Sequence, residues 1–452
     1  MTDINLMPHL RQAANEIFNA AVRAADAGKA LRRAVNLEGR LLRICDAVFD
    51  ISTRPIYVVA IGKAAPGMAA ELDESLGDKI GGGVVSGPDG PDAQSLASDR
   101  WQVYAGGHPL PNQESLDAAQ AVFDLLRRAD KGRALVVFLI SGGGSAMIEW
   151  PRDSRITLAE LRETNRWLVS CGTSITEINA VRRALSAVKG GRLGALAQNT
   201  DQITLIISDT NRGDEASVAS GPTLPPTANS PRSIDVVERY RHRLSLPSSV
   251  LTAIQEAESD KGHSDIATGK YYVLLNNQSA VEAAAAEARQ LGFAVEMAYD
   301  INEQPIDEGS ALLVSRLRAL WEQAGREQKR VCLISGGEFS CPVRGTGVGG
   351  RNLETVLRCA IEFDKRQHLG DFAFAHLVAL SGGTDGIDGN SHAAGAIADE
   401  STITRGLARG LNAESFLENS DSFTFFNTLG DSIVTGPTGT NVRDLRVLLA
   451  SS

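Results

Sequence analysis

Glycine-rich loops that carry polar and acidic side chains are the segments of this sequence best suited to chemistry. In the longest, the apolar run Val331–Ile334 ends at Ser-Gly-Gly-Glu338, and a Gly-Thr-Gly-Val-Gly-Gly stretch at 345–350 precedes Arg351 and Asn352. Glycine has no Cβ, so its N–H groups can turn toward a ligand, and a helix that begins just after such a loop adds a positive dipole end. Both features favour binding of an anion, above all phosphate.

The Ser-Gly-Gly device occurs twice more, in the Ser141–Ser145 loop and in the Ser381–Gly386 loop. Ligands of open α/β sheets lie beyond the carboxyl ends of the strands, where these loops are expected. A single loop of this kind needs no ligand, because tight strand-to-helix turns require glycine anyway. Three such loops favour a phosphate-handling site. The candidate nucleotide- or phosphate-binding residues in them are Ser141, Gly142, Gly143, Gly144, Ser145, Gly336, Gly337, Glu338, Gly349, Gly350 and Asn352.

Lys63 follows the apolar run Ile56–Ile61 and precedes a helix that has Pro66 in its first turn. The helix dipole disfavours a cation there, so the position is costly unless an anion offsets it. Two interpretations stay open: a solvated lysine on an ordinary turn, or a phosphate-binding or catalytic lysine. His108, in a Gly-Gly-His-Pro-Leu-Pro loop, could face the same site, although a loop histidine is more often structural or exposed.

Carboxylates at strand ends supply a second part of the chemistry. Asp209 follows the predicted strand 203–207, and Asp385 lies in the third Ser-Gly-Gly loop. Either could bind Mg²⁺, and Asp209 could instead position a nucleophile. Lys189 stands in a Lys-Gly-Gly-Arg segment whose glycines would let an anion approach the backbone, so it is a further phosphate-binding candidate. The alternative for Lys189 is a solvated helix face.

The glycines at 345–350 also match the Gly-x-Gly-x-x-Gly fingerprint of dinucleotide sites. The next predicted strand, 376–380, ends without the acidic residue that would hold a ribose, so the match is weak. The sequence has no GxxxxGK[ST] P-loop, no nucleophile elbow and no HExxH motif. What remains is a lysine, an arginine after a glycine loop, glycine anion sites and carboxylates, which are the parts that phosphoryl transfer needs.

Composition bounds the class of protein. A chain of 452 residues exceeds what one core usually supports, so two domains are expected. A net charge of -10 without a sustained Lys/Arg run argues against nucleic acid or an anionic membrane as a general partner. Five scattered cysteines without a CxxC pair indicate reduced thiols. With no signal-peptide pattern and no apolar run that could span a bilayer, we expect a cytoplasmic protein.

Alternating strand and helix patterns predict an α/β fold with a parallel, doubly wound sheet. The Pro/Thr-rich segment 220–227 is the best boundary candidate, which gives domains 1–230 and 231–452. Helices are predicted at 8–28, 38–49, 66–76, 114–129, 157–170, 176–197, 232–243, 247–258, 278–291, 306–327 and 351–364. Strands are predicted at 56–61, 82–85, 102–105, 134–140, 203–207, 271–275, 293–298, 330–335, 376–380 and 442–449.

The sequence resembles the glycerate 2-kinase family, whose C-terminal part is the MOFRL domain. The matching motifs are AIGKAAPGM, GGHPLPNQES, LISGGGSAM, INAVRRALSAVKGGRL, SDTNRGDEASVASGPT, LISGGEFS, GTGVGGRNLE, SGGTDGIDG and TGPTGTNV. They occur in family order over about residues 10–449. The resemblance implies two α/β domains, an N-terminal Rossmann-like doubly wound sheet and a C-terminal mixed-sheet MOFRL domain, with the active site in the cleft between them.

The resemblance also implies ATP- and Mg²⁺-dependent phosphorylation of D-glycerate at O2, and we expect a monomer or a homodimer. Lys63 and Arg351 match the family's catalytic lysine and arginine motifs, and the Ser141–Ser145 loop matches a ligand-binding loop. Asp209 joins the predicted catalytic set because of its place at a strand end. The sequence departs from the usual family residues at Cys171, Ala184, Thr210 and Leu353.

Two other functions stay open. A hydroxypyruvate reductase that uses NAD(P)H would draw on the lone glycine fingerprint, but the ribose acid is missing and no His–acid pair is placed for hydride transfer. A non-catalytic sugar-phosphate sensor would use the Ser-Gly-Gly loops alone. The carboxylates at the strand ends argue against a sensor, because they would repel phosphate without a metal.

Overall fold

The computed structural model describes residues 6–96, 99–243, 245–259, 269–324, 330–370, 372 and 375–452. These residues divide into two compact units. Residues 27–275 form the Lys63 unit, and the described parts of 1–26 and 276–452 form the Arg351 unit. This division differs from the predicted boundary near residue 230, because the strand at 270–275 still belongs to the first unit and the N-terminal helix belongs to the second.

The helices are α1 (Leu6–Ala24), α2 (Ala27–Ala34), α3 (Ala65–Leu76), α4 (Pro91–Ser95), α5 (Gln113–Gly132), α6 (Gly144–Met147), α7 (Leu158–Ser170), α8 (Ile175–Leu185), α9 (Arg192–Ala195), α10 (Ser233–Tyr240), α11 (Ser248–Ser259), α12 (Asn277–Gln290), α13 (Ile306–Ala324), α14 (Arg351–His368), α15 (Thr402–Ala408), α16 (Ala413–Glu418) and α17 (Ser422–Leu429). The strands are β1 (Val35–Glu38), β2 (Leu41–Ile44), β3 (Ala47–Asp50), β4 (Ile56–Ile61), β5 (Ile80–Gly87), β6 (Trp101–Ala105), β7 (Leu135–Ser141), β8 (Asp201–Ile207), β9 (Lys270–Leu275), β10 (Ala294–Met297), β11 (Arg330–Gly337), β12 (His376–Gly383), β13 (Gly395–Asp399), β14 (Ser432–Ile433) and β15 (Asp444–Ser451).

In the Lys63 unit, the described residues form a six-stranded parallel sheet with the order β6-β5-β4-β7-β8-β9. This is the strand order of a Rossmann-type sheet, so the predicted fold class is confirmed. The order reverses between β4 and β7, which is where such sheets bind ligands, beyond the carboxyl ends of the strands. Because β4 leads to Lys63 and β7 leads to the Ser141–Ser145 loop, these two loops leave the sheet side by side.

The Arg351 unit contains a mixed sheet, as the resemblance implied. Its described strands have the order β10-β11-β15-β12-β13-β14, and β15 runs antiparallel to both of its neighbours. The start of β15 therefore lies between the carboxyl ends of β11 and β12, where Asp444 pairs in register with Gly337 and Gly383. Helix α1 packs on α12, β12 and β15 through a buried apolar face. This packing explains why the N-terminal helix belongs to the Arg351 unit.

The helix predicted at 38–49 is wrong, because β1, β2 and β3 form a small antiparallel sheet there. Leu42 and Ile44 are buried while their neighbours are exposed, which is the two-residue period of a strand. The turns that join the strands use Gly39 and Cys45, both with positive φ. The prediction followed the apolar content of the segment and missed this alternation.

The helix predicted at 176–197 is also interrupted. Helix α8 ends at Leu185, Ser186 is extended, and α9 begins only at Arg192. Gly190 and Gly191 have φ values of 67° and 83°, a left-handed conformation that glycine adopts without a Cβ penalty. These two glycines therefore separate the helices.

Most other predicted elements occur within a few residues of their predicted bounds. The last three residues of the helix predicted at 306–327 lie outside the described residues. The elements α15, α16, α17, β13 and β14 were not predicted. Among the described residues, no helix combines the length and the hydrophobicity that crossing a membrane would require.

Candidate active site

The loops after β4 and β7 are tied to each other by backbone and hydroxyl hydrogen bonds. The N–H of Lys63 donates to the carbonyl oxygen of Gly142 at 2.8 Å, and the N–H of Ala64 donates to Ser141 Oγ at 3.0 Å. Ser141 is only 2% exposed. Its hydroxyl therefore holds the Lys63 loop in place, and the phosphate contact of Ser141 stays a prediction.

Gly142 and Gly143 lie directly against three side chains that could take part in chemistry. A Cβ placed on Gly142 would lie 2.0 Å from Asp209 Oδ2. A Cβ placed on Gly143 would lie 3.1 Å from Lys63 Cγ and 3.2 Å from His108 Cδ2. Only glycine leaves room for these side chains, and Gly143 also has a φ of 80°. The structure thus brings Lys63, Asp209 and the two glycines together, and it adds His108.

Ser145 belongs to a hydrogen-bonded chain beside this cluster. Its Oγ lies 2.7 Å from Ser220 Oγ, and Ser220 Oγ donates to Asn179 Oδ1 at 2.8 Å. Ala219 and Ser220 have φ values of 51° and 60°, which are strained for residues with a Cβ. Such strain is concentrated at functional sites. Ala219 also contacts the loop, since a Cβ on Gly144 would lie 2.7 Å from Ala219 Cβ.

Lys189 occupies a different environment from the predicted one. Its Nζ lies 2.5 Å from Glu149 Oε2, and Ser186 Oγ donates to the other oxygen of Glu149. Lys189 is 1% exposed, and burial lowers its pKa while Glu149 opposes this shift. The ammonium group is therefore committed to an interior ion pair. The phosphate-binding role of Lys189 stays a prediction, and it would require Lys189 to leave this ion pair.

In the Arg351 unit, Arg351 lies between two carboxylates. Its Nε is 2.5 Å from Asp444 Oδ2, its Nη2 is 3.3 Å from Asp444 Oδ1, and Nη2 is 2.6 Å from Glu338 Oε1. Burial tends to lower the pKa of Arg351, but Asp444 and Glu338 outweigh it and hold the pKa above its ordinary value. Glu338 therefore acts on Arg351, and the guanidinium has a fixed orientation at the carboxyl end of β11.

The N-terminus of α14, which the sequence predicted to bind phosphate, is capped by a carboxylate of the protein. Asp388 accepts the N–H of Asn352 at 3.1 Å and the N–H of Leu353 at 2.8 Å. The Asn352 amide contacts Asp388 and also accepts from Ser381 Oγ at 2.6 Å. A Cβ on Gly350 would lie 2.4 Å from the Asp388 carboxylate. Asn352 and Gly350 thus have contacts within the protein, and their phosphate binding stays a prediction.

Asp388 has a strongly perturbed environment. Burial, with a contribution from the nearby Asp444, raises the pKa of Asp388 to about 7, although the hydrogen bonds from the N–H groups of Asn352 and Leu353 favour the ionised form. Asp388 lies at the N-terminus of the helix that begins with Arg351. Its protonation state is therefore coupled to the geometry of that helix end.

The glycine stretch 345–350 is held by the segment around residues 419–421. The N–H groups of Gly347, Val348 and Gly349 donate to Asn419 O, Asp421 Oδ1 and Asn390 Oδ1 at 3.0, 2.9 and 2.8 Å. Cβ atoms on Gly345 and Gly347 would clash with Asn419 and Asp421. The glycines therefore permit close packing between two segments of the protein. The phosphate-binding role of Gly349 stays a prediction, although its N–H already donates to Asn390.

Gly336 and Gly337 are likewise enclosed by protein. Both residues lie within β11 and pair with β15. The N–H of Gly337 donates to Asn277 Oδ1 at 3.0 Å, and Arg446 Nη2 donates to the carbonyl oxygens of Gly336 and Gly337 at 2.5 and 2.9 Å. The Arg446 guanidinium stacks on the Phe339 ring at 3.8 Å. These two glycines take part in strand packing, and their phosphate binding stays a prediction.

The metal prediction has partial geometric support. The described residues contain no group of three or more His, Cys, Asp or Glu side chains suited to hold an ion. Mg²⁺ at phosphoryl-transfer sites usually takes one or two carboxylates together with substrate phosphates, so Asp209 beside Gly142 fits such a site. One oxygen of Asp385 accepts the N–H of Ile387 at 3.2 Å, which folds its own loop. The role of Asp385 stays a prediction.

Sequence reasoning missed Asp444, Asp388, Asn179 and Ser220. A signal existed for Asp444, since an acidic residue that opens a strand antiparallel to β11 must lie at the carboxyl end of β11. The signal requires the strand order, which the sequence pattern does not contain. Asp388 stood in the Asp-Gly-Ile-Asp run of a predicted loop, but its partner helix lies 36 residues earlier in the chain.

Comparison with known proteins is consistent with this architecture. The family model of a domain of unknown function, DUF4147, matches residues 13–255, and the MOFRL family model matches residues 331–444. A glycerate kinase of Rattus norvegicus is 33% identical, with 97% of this chain and 93% of the relative covered. A D-glycerate 2-kinase of Thermotoga maritima is 34% identical over 86% of this chain and 89% of its own length. An Agrobacterium vitis relative with the provisional name of a hydroxypyruvate reductase is 36% identical, covering 87% and 98%.

Solved structures give the same result. The crystal structure of a glycerate kinase from Thermotoga maritima superposes with a TM-score of 0.79 at 30% identity, covering 98% of this chain and 99% of the other. A structure from Pyrococcus horikoshii superposes with a TM-score of 0.75 at 29% identity and the same coverage. With matches of this identity over almost its whole length, the chain belongs to the glycerate 2-kinase family.

Proposed function

We propose that this chain is an ATP-dependent glycerate 2-kinase, which transfers the γ-phosphoryl group of ATP to O2 of D-glycerate. Similarity to a relative named D-glycerate 2-kinase supports this assignment. The observation that carries it is the cluster at the strand-order reversal of the Lys63 unit. There Lys63 and Asp209 lie against adjacent glycines of one loop, Gly143 and Gly142. A cation, a carboxylate and a glycine loop at one sheet edge are parts that phosphoryl transfer requires.

Lys63 neutralises charge on the transferring phosphoryl group in this proposal. Its backbone is fixed, because its N–H donates to Gly142 O at 2.8 Å and the neighbouring Ala64 N–H is held by Ser141. The ammonium group, at the end of four methylene groups, supplies a compact positive charge with three N–H donors for the phosphoryl oxygens. A cation placed before the reaction stabilises the transition state without further reorganisation.

Asp209 is the proposed protein ligand of Mg²⁺. Its carboxylate lies beside the backbone of Gly142, where a bound phosphate would also lie, and two anions in that space require a cation between them. When bound, Mg²⁺ would neutralise phosphate charge and orient the nucleotide. His108 lies beside Gly143, and we propose that it contacts the acceptor hydroxyl. Asp385 is retained as a weaker proposed metal ligand.

Arg351 is proposed to assist charge stabilisation from the Arg351 unit. The two carboxylates that bracket its guanidinium, Asp444 and Glu338, keep it charged and oriented. Its neighbouring glycine stretch 345–350 is not proposed as a phosphate cover, because the protein occupies its N–H groups. The contribution of this unit to the proposed reaction therefore comes from side chains and not from an N–H cradle.

The reductase alternative is less well supported by these contacts. Dinucleotide sites place the glycine fingerprint at the turn after the first strand of the Rossmann sheet. In the Lys63 unit that turn reads Gly62-Lys-Ala-Ala-Pro-Gly67, without the fingerprint. The stretch that does match, at 345–350, lies in the other unit and packs against protein segments. We therefore favour the kinase over a nicotinamide-dependent reductase.

The product of the reaction tests the proposal. The protein is incubated with ATP, Mg²⁺ and D-glycerate, and enolase is added with and without phosphoglycerate mutase. We expect phosphoenolpyruvate to form at the same rate in both arms, because only the 2-phospho acid is an enolase substrate. Signal that depends on the mutase would show transfer to O3. Oxidation of NADH by hydroxypyruvate, without any phosphoryl transfer, would favour the reductase.

A further inference from the structure

A group of cationic side chains lies around the end of α8, and most of its members have partners within the Lys63 unit. Arg182 Nε donates to Asn165 Oδ1 at 2.7 Å, and Lys189 pairs with Glu149 at 2.5 Å. Arg192 Nη1 donates to three main-chain carbonyl oxygens at 2.8, 3.1 and 2.9 Å. These three cations therefore have structural explanations.

Arg183 differs from the other three. It is 8% exposed, yet within the described parts of the chain its guanidinium forms no ion pair and no hydrogen bond with a protein acceptor. Burial lowers the pKa of Arg183, and no carboxylate acts in the opposite direction. The nitrogen atoms of Arg183 are not among the fully buried side-chain atoms that have no partner, so the guanidinium keeps contact with solvent and an anion can reach it. Loss of hydration around a largely buried cation is offset when an anion binds to it.

The position of Arg183 in its helix explains part of this arrangement. Arg183 lies in the last turn of α8, where the helix dipole favours a cation. Arg182 occupies the same turn and nevertheless has the Asn165 carbonyl as a partner. The dipole is therefore not a complete explanation, and the remaining requirement is an acceptor that the described residues do not supply.

The stem of Arg183 packs on Gly190, a glycine that is hydrogen-bonded to a segment beside the proposed active site. A Cβ on Gly190 would lie 3.3 Å from Arg183 Cδ, so the side chain passes over this glycine. The N–H of Gly190 donates to Ser220 O at 3.1 Å, and Ser220 Oγ lies 2.7 Å from Ser145 Oγ. Arg183 is thus connected through two contacts to the loop that also holds Gly143 beside Lys63.

We propose that Arg183 binds the carboxylate of the acceptor acid, in an anion site beside the loop that contains Ser145. This inference rests on the proposed kinase function. A guanidinium offers two parallel N–H donors that match a carboxylate, whereas Lys63 and Asp209 are placed for the phosphates and their metal. A small 2-hydroxy acid would then have its carboxylate anchored by Arg183 and its hydroxyl directed to the Lys63 cluster.

A comparison of a charged with a neutral acceptor distinguishes a carboxylate contact of Arg183 from a structural role. Wild type and Arg183→Gln are assayed with D-glycerate and with glyceramide, the neutral amide of the same acid. We expect the substitution to lower kcat/KM for D-glycerate roughly 10- to 100-fold, as for a lost charge-assisted hydrogen bond, and to change that for glyceramide less than about threefold. The KM for ATP stays unchanged. Arg128→Gln, at an exposed arginine of α5, is the matched control and lowers neither value.

Equal losses with both acceptors would overturn the proposal, because a structural arginine does not distinguish them. A raised KM for ATP with an unchanged KM for D-glycerate would overturn it in favour of a nucleotide phosphate contact. If Arg183→Gln does not fold, Arg183→Lys is assayed in its place. The kcat/KM for D-glycerate divided by the kcat/KM for glyceramide must then fall about tenfold relative to wild type. An unchanged ratio contradicts the proposal.

Direct binding distinguishes failure of this inference from failure of the kinase assignment. Titration calorimetry with D-glycerate, without nucleotide, requires no turnover. Binding by wild type that Arg183→Gln loses at least tenfold supports the carboxylate site even if no phosphoryl transfer occurs. Equal binding by both proteins, or no binding by wild type, overturns it.

Discussion

Asp444→Asn tests whether the orientation of Arg351 matters for the reaction. In the structure, Asp444 contacts Arg351 through two hydrogen bonds of 2.5 and 3.3 Å, and Glu338 contacts it through one of 2.6 Å. The substitution keeps an oxygen that can accept from Nε but removes the charge and the second acceptor. Asp444→Ala removes both contacts. Arg351 would then be held by Glu338, whose side chain is half-buried.

The expected magnitudes follow from the two contacts. Charge-assisted hydrogen bonds contribute about 1.5–3 kcal/mol and neutral ones about 0.5–1.5 kcal/mol, so removing the charge costs about 1 kcal/mol. Each 1.36 kcal/mol is about a tenfold change in rate, so Asp444→Asn should lower kcat/KM about fivefold. Asp444→Ala forfeits the whole interaction, and the expected fall is roughly 10- to 100-fold.

The assay is the enolase-coupled rate, with thermal unfolding as a check on the fold. A double-mutant cycle with Arg351→Ala separates positioning from other roles. If Asp444 acts through Arg351, Asp444→Ala has little further effect in the Arg351→Ala background. Full additivity of the two losses, or wild-type kcat/KM in Asp444→Asn, would refute the positioning argument.

Three further substitutions have defined outcomes. Gly142→Ala places a Cβ 2.0 Å from Asp209 Oδ2, so the carboxylate must move, and we expect kcat to fall about 100-fold. The control is Gly132→Ala, which has open space around it and should leave the enolase-coupled rate unchanged. Lys189→Met breaks a buried ion pair and should lower the free energy of unfolding in urea by about 3–5 kcal/mol. We expect the KM for ATP of the folded variant to stay constant. A raised KM for ATP would instead support the phosphate-binding role of Lys189. The folded pKa of Asp388 is about 7, above its unfolded value, so its stabilising effect is present at low pH and is lost as the pH rises through about 7. Asp388→Asn should therefore reduce the loss of unfolding free energy between about pH 5 and about pH 8, and an unchanged pH dependence would contradict the raised pKa.

The Lys63 unit could be predicted in large part from sequence because its connections are local. Each strand of its parallel sheet is followed by its own loop, and the apolar run Ile56–Ile61 and the Ser141 loop show this directly. The sheet order follows from the right-handed crossover rule and a single reversal. The loops that meet at the reversal, those of Lys63 and Gly143, could therefore be assigned to one site without coordinates.

The Arg351 unit was harder to predict because its central strand comes from the end of the chain. The Ser-Gly-Gly runs at the ends of β11 and β12 share this tripeptide with the Ser141 loop, but β15 lies between the two strands and pairs with these glycines. The carboxylate that caps α14, Asp388, and the one that orients Arg351, Asp444, are both distant in sequence from their partners. Local pattern contains no information about such pairs.

The role of Lys63 is the central claim, and its most direct measurement is the enolase-coupled turnover of Lys63→Ala beside wild type. Lys79→Ala, at an exposed lysine of the same unit, is the matched control. Loss of one preorganised group that stabilises the transition state lowers turnover about 100- to 1,000-fold. We expect this loss in Lys63→Ala with an unchanged unfolding temperature, and wild-type turnover in Lys79→Ala. Near-wild-type turnover in a folded Lys63→Ala protein would contradict the proposed mechanism.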